Sequence, residues 1–209
     1  MKNLLPLAAI VLLFACNNNA DEQSNGMDSS HGSHHTTATI DSSNIMKQMM
    51  DQNMQQMMGV RSTGNADHNF AALMRIHHQG AVDMANALLR SGSNEELKKM
   101  AQQIITDQQK EIAVFDSVLT AKTNNGKDTA FFSRSMQDMH HMQLKDEAGS
   151  IDRQFIQMMI PHHEGAIIMA KTYLDNGAKD ATLKKLAGNI IKAQQAEINT
   201  FKQMLPNIK

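Results

Sequence analysis

The sequence predicts an all-helical fold: a four-helix bundle built from two copies of one helical hairpin, with an extra Met-rich helix before them. Three observations predict it. Apolar residues recur at helical spacing through residues 67–205, strand signals are absent, and a block of sequence returns 85 positions later. At 209 residues the chain has room for one ordinary domain and its tails.

The first element is a targeting segment. Lys2 precedes an apolar run, Leu4 to Leu13, too short to span a bilayer, and Leu13-Phe14-Ala15-Cys16 follows. This resembles a bacterial lipobox, which implies that residues 1–15 are a lipoprotein signal peptide. Lipid on Cys16 would then anchor the mature chain to a membrane by acyl chains and not by a spanning helix. The alternative is an ordinary secretory signal with an incidental Cys16. The resemblance places the protein in the bacterial cell envelope, periplasmic or at the outer membrane, since Asn17 is not the Asp that marks inner-membrane retention. With its one cysteine lipidated the chain has no thiolate to offer, so a metal would be held by His, Met, Asp or Glu.

Residues 16–44 are polar, lack apolar periodicity and read as a flexible tether. His31, His34 and His35 lie in it, either as a metal-catching tract or as ordinary polar linker residues. Residues 45–59 follow as the extra helix: Met46, Met49, Met50, Met54, Met57 and Met58 fall on one helical face, and Gly59 ends it.

The repeats span 67–119 and 152–205. Asp67-x-x-Phe70 returns as Asp152-x-x-Phe155, and His77-His78-x-Gly80-Ala81-x-x-Met84-Ala85 returns as His162-His163-x-Gly165-Ala166-x-x-Met169-Ala170. After one inserted residue the match resumes, pairing Gln108 with Gln194, Glu111 with Glu197 and Phe115 with Phe201. The two helices of each copy join at a short turn containing Gly92 or Gly177, where glycine suits a left-handed C-terminal cap. Turns this short force antiparallel neighbours. The linker between copies carries Met136, Met139, His140, His141 and Met142 in what reads as a short helix.

On a helical wheel Phe70, Met74, Ala81, Ala85 and Leu88 form one stripe flanked by His77 and His78. The second copy repeats this with Phe155, Met159, Ala166 and Ala170 beside His162 and His163. On the partner helix Leu97, Ala101, Ile104, Ile112 and Phe115 form the stripe, with Gln108 and Glu111 on or beside it. Counting from the turn brings these polar groups to the depth of the histidines. Burying imidazole, amide and carboxylate together is costly unless they satisfy one another or an ion. Either the cluster is a register-fixing network, or it is a metal site; its duplication beside Met favours the second. Pro161 removes a backbone hydrogen bond and is expected to kink the second His helix.

The composition points the same way, with 18 Met and 10 His against one Cys and no Trp. Thioether with imidazole favours Cu(I) over hard cations. The candidate ligands are His77, His78, Met74, Met84 and Glu111 in the first copy and His162, His163, Met158, Met159, Met169 and Glu197 in the second. Asp67, Asp152, the Met/His linker and the tether histidines are secondary candidates. A single core Met is ordinarily a gap-filler, so the weight rests on the surplus. The net charge of −1 provides no field for nucleic acid.

The run Met158-Met159-Ile160-Pro161-His162-His163-Glu164-Gly165-Ala166-Ile167-Ile168-Met169-Ala170, followed by Gln194-Gln195-Ala196-Glu197-Ile198, resembles the family called domain of unknown function 305. The resemblance covers residues 67–205. It implies a ferritin-like bundle and, from envelope members that bind copper, copper handling through the matching His and Met positions. The first copy departs at Met74-Arg75-Ile76, with Ile76 where the second has Pro161, so the halves are expected to differ.

Three functions compete. The first is an envelope protein that binds or buffers Cu(I), with Cu(II) or Ag(I) as alternatives, has no turnover and hands copper to an export partner. The second is a dinuclear iron or manganese enzyme, which needs more inward carboxylates and Glu-x-x-His pairs than the hairpins supply. The third is a metal-free module whose Met-rich face docks a partner.

Overall fold

The computed structural model describes residues 44–121, 126–127, 129–140 and 149–209. Cys16, His31, His34, His35, His141 and Met142 lie outside them, as do the side chains of Met139 and His140. Six α-helices run in order: α1 (Ile45–Met58), α2 (Ala66–Ser91), α3 (Glu95–Thr120), α4 (Ala130–His140), α5 (Ile151–Asp175) and α6 (Ala181–Met204). No helix among the described residues is long and apolar enough to cross a membrane.

Each of the four long helices starts where a side-chain oxygen can accept from an orphan first-turn N–H. Asn65 accepts from His68, Asn94 from Leu97, Ser150 from Arg153 and Asp180 from Leu183. Gly177 ends α5 in the left-handed region at φ 102°, as expected of a cap. Gly92 does not: it is extended, at φ −72° and ψ 159°. Its small size serves a close approach instead, because a Cβ there would stand 2.7 Å from Asp152 Oδ1. Helix α5 continues as α-helix through Pro161 to Asp175.

The expected hairpins are α2–α3 and α5–α6, and they meet through α2 and α5. These two inner helices are antiparallel. Phe70 near the start of α2 stacks at 4.0 Å on Tyr173 near the end of α5, while His77 and His162 meet at mid-length with ring centroids 3.7 Å apart. Residues related by the repeat therefore touch, and a pseudo-two-fold axis passes between the two imidazoles. Helices α1 and α4 each lie on both inner helices.

The apolar stripes segregate into two clusters, one toward each end. Phe70, Phe115, Phe131 and Tyr173 pack edge-to-face and stacked in one. Phe155 and Phe201, with Leu88 and Leu97, anchor the other. Helix α1 presents Met46, Met50, Asn53 and Met57 to the inner pair, all buried. A 14-residue helix is marginal alone, and a fully buried Met contributes about 1.5–3 kcal/mol, so this stripe holds α1 in place.

Candidate metal site

Adjacent histidines on a helix diverge by about 100°, and the structure assigns the two directions different partners. His77 and His162 point at each other across the pseudo-two-fold axis. His78 and His163 turn back into their own hairpins. His78 Nε2 lies 2.7 Å from Glu111 Oε2, and His163 Nε2 lies 2.6 Å from Glu197 Oε2. The first contact is a well-directed hydrogen bond; the second is close but less well aligned. Gln108 and Gln194 are buried beside this layer, each with its side-chain oxygen unpartnered.

The central pair faces α1 across a cavity of about 10 Å³, room for one water-sized sphere. His77, His162 and Met169 line it from below, and Met50, Met54 and Met57 from α1, with Asn53 and Gly165 completing the wall. Both ring nitrogens of His162 and Nδ1 of His77 are buried without a hydrogen-bond partner. Burial, and then the neighbouring imidazoles, push the pKa of both rings well below the ordinary histidine value. Both are therefore neutral near pH 7, with lone pairs free to donate.

These donors fit a soft monovalent ion. Each neutral ring keeps one unprotonated nitrogen, and a buried nitrogen without a partner carries a desolvation cost of about 1–3 kcal/mol that a coordinated ion would offset. The thioethers of Met50, Met54, Met57 and Met169 add neutral soft donors in a wall with no carboxylate. Among the described residues no three His, Cys, Asp or Glu side chains form a group able to hold a metal ion.

Of the expected ligands, the structure brings His77, His162 and Met169 together. His78, Glu111, His163 and Glu197 form two separate pairs outside the cavity wall. Met74, Met84, Met158 and Met159 are buried in the apolar clusters and do not line the cavity. Met136 is part-buried against the Phe70 cluster.

Asp67 and Asp152, expected as secondary ligands, lie outside the cavity wall and act as struts between the hairpins. Asp152 accepts from Ser93 N, Ser93 Oγ and Asn94 N. Asp67 Oδ1 accepts from Tyr173 Oη, Lys179 N and Asp180 N. Each carboxylate reaches from its own hairpin to the turn of the other and ties the two hairpins together. The cavity-lining residues the sequence did not single out as candidate ligands are Met50, Met54 and Met57. Their signal was the one-faced Met spacing of residues 45–59, which says nothing about where that face docks.

The family described as domain of unknown function (DUF305) matches residues 15–119 and 116–205. The chain belongs to the DUF305 family. Each match takes in the short helix ahead of a hairpin, α1 in the first and α4 in the second. Among solved structures, CopM in its Ag-bound form is 34% identical, with 68% of this chain and 95% of that one covered at a TM-score of 0.52. CopM in its Cu(I)-bound form is 32% identical, covering 68% and 96%, also at 0.52. A DUF305 secreted protein from Streptomyces coelicolor, 23% identical over 70% of this chain and 95% of its own at a TM-score of 0.56, shares the fold. The uncharacterized protein L153 of Acanthamoeba polyphaga mimivirus is 41% identical over 66 residues, 32% of this chain. The match spans 43% of that curated relative's length.

Proposed function

We propose that this DUF305 protein binds Cu(I) or Ag(I) in the cavity between the His77–His162 pair and α1, as a buffering or tolerance protein without turnover. The observation that carries the reading is the set of buried, unpartnered imidazole nitrogens facing four thioethers across a space of ionic size. A soft ion gains from sulfur and neutral nitrogen, whereas a hard ion would give up its water for no charged oxygen. CopM, which this chain resembles over most of its length, has been solved with Ag, Cu(I) and Cu(II) bound, which supports metal binding here. A lipid on Cys16 would keep this site at the envelope surface, where an export partner could draw on it.

The test is competition of the purified mature protein against chelators for Cu(I), Ag(I), Cu(II), Zn(II) and Fe(II). Stoichiometric Cu(I) and Ag(I) should be retained, and lost when His77 and His162 are both changed to Ala. The same change at His78 and His163 should leave the ion in place. Retention of iron with oxygen consumption, or copper binding indifferent to His77 and His162, refutes the proposal. Labelled palmitate incorporation that disappears in Cys16→Ser tests the anchor.

A further inference from the structure

The buried cavity has a second feature that ion binding alone does not require. A polar groove of about 300 Å³ lies on the surface between α1 and α2, bordered by Met49, Gln56, Asp83 and Arg90. Asn53 borders this groove and also the wall of the His77–His162 cavity. It is the single polar residue in the buried stripe Met46, Met50, Asn53 and Met57. Its Nδ2 donates to Ile76 O at 2.7 Å, which holds the amide flat against α2. Gly80 makes room for it, since a Cβ at that position would stand 2.5 Å from Asn53 Cγ.

A Met at position 53 would continue the apolar stripe and would pack without leaving a polar group to satisfy. An amide placed there closes the wall with one hydrogen bond that a rotation about its side-chain torsions can break. Such a bond is worth about 0.5–1.5 kcal/mol net, little enough to open often. The thioether of part-buried Met49 stands on the groove side, so a soft ion in the groove has a neutral sulfur next to the closure.

We propose that Asn53 is the gate between this groove and the buried site, and that the ion passes from Met49 to the His77–His162 cavity when the Asn53 amide swings off Ile76. The proposal rests on the metal-binding reading above and assigns Asn53 a role in the rate of loading and release. A residue that merely fixed the register of α1 would change stability and affinity, and with affinity the ratio of release to loading, whereas a gate changes both rates and leaves their ratio alone.

Stopped-flow mixing of the full mature chain with Ag(I), which undergoes no redox change, reads the passage directly. Asn53→Ala opens the wall and should speed both loading and release by about tenfold, with the equilibrium affinity kept within about threefold. Asn53→Leu plugs it and should slow both. Met49→Leu, on the groove side, should slow loading with affinity and thermal stability unchanged, which keeps the test sound even where an Asn53 variant loosens α1. Identical rates in all four proteins overturn the gate while leaving the site standing. Failure of the unaltered protein to retain Ag(I) overturns the metal reading itself.

Discussion

Lowering the pH should destabilise the metal-free protein through two particular residues. His77 and His162 have pKa values held well below the ordinary 6.5 by burial and by neighbouring imidazoles, so they stay neutral in the fold while the unfolded chain protonates them. The unfolded state then binds more protons, and stability falls as pH drops below 6.5. Their effect fades over about one pH unit above that value. At pH 5.5 a histidine that stays wholly neutral in the fold costs RT ln(1 + 10), so the ceiling is about 1.4 kcal/mol for each ring and about 2.8 kcal/mol for the pair relative to pH 8. For a domain of this size that is a drop in Tm of about 6–11 °C. The assay is thermal unfolding of the chelator-stripped protein from pH 8 to 5.5, with His162→Leu in parallel to cancel every other titrating group. The unaltered protein should lose about 1.4 kcal/mol more than the variant over that range. Parallel curves would show that His162 takes up its proton in the fold, and would remove the argument for neutral donor nitrogens.

Three further outcomes follow from the packing. Asp152→Ala strips acceptors from Ser93 and Asn94 at the far hairpin's turn and should cost about 2–4 kcal/mol in a urea titration; a loss under about 1 kcal/mol would deny its role as a strut. Gly80→Ala drives a methyl into Asn53, so hydrogen exchange should rise across α1 while α2 and α5 remain protected. Unchanged exchange in α1 would mean that the contact yields without displacing the helix. Met50→Leu and Met57→Leu conserve volume and should shift stability by less than about 1.5 kcal/mol. Each should nonetheless weaken Ag(I) binding about tenfold, about 1.4 kcal/mol, in a chelator competition; equal affinities would return these sulfurs to plain core.

Much of this architecture is legible in one dimension. The 85-residue offset encodes two hairpins because each copy repeats both its apolar period and its turn, and those are local properties of the chain. The depth of the polar layer follows too, since equal rise per residue from a turn fixes level without any knowledge of packing. Which histidine of each adjacent pair faces inward is another matter. Both flank the stripe, and only the antiparallel meeting of α2 with α5 puts His77 on His162 and turns His78 toward Glu111. The same docking sends Asp67 and Asp152 across to the opposite turns.

The sequence by itself determined helices, hairpins, the internal repeat and a soft donor composition, because propensity and periodicity act over a few turns. Tertiary structure alone decided that the Met face of α1 closes over the imidazoles and supplies the thioethers, with Asn53 set among them. A stripe of buried residues specifies that a helix must dock, but not where. That choice is made by the shape of the surface left over once the two hairpins have met.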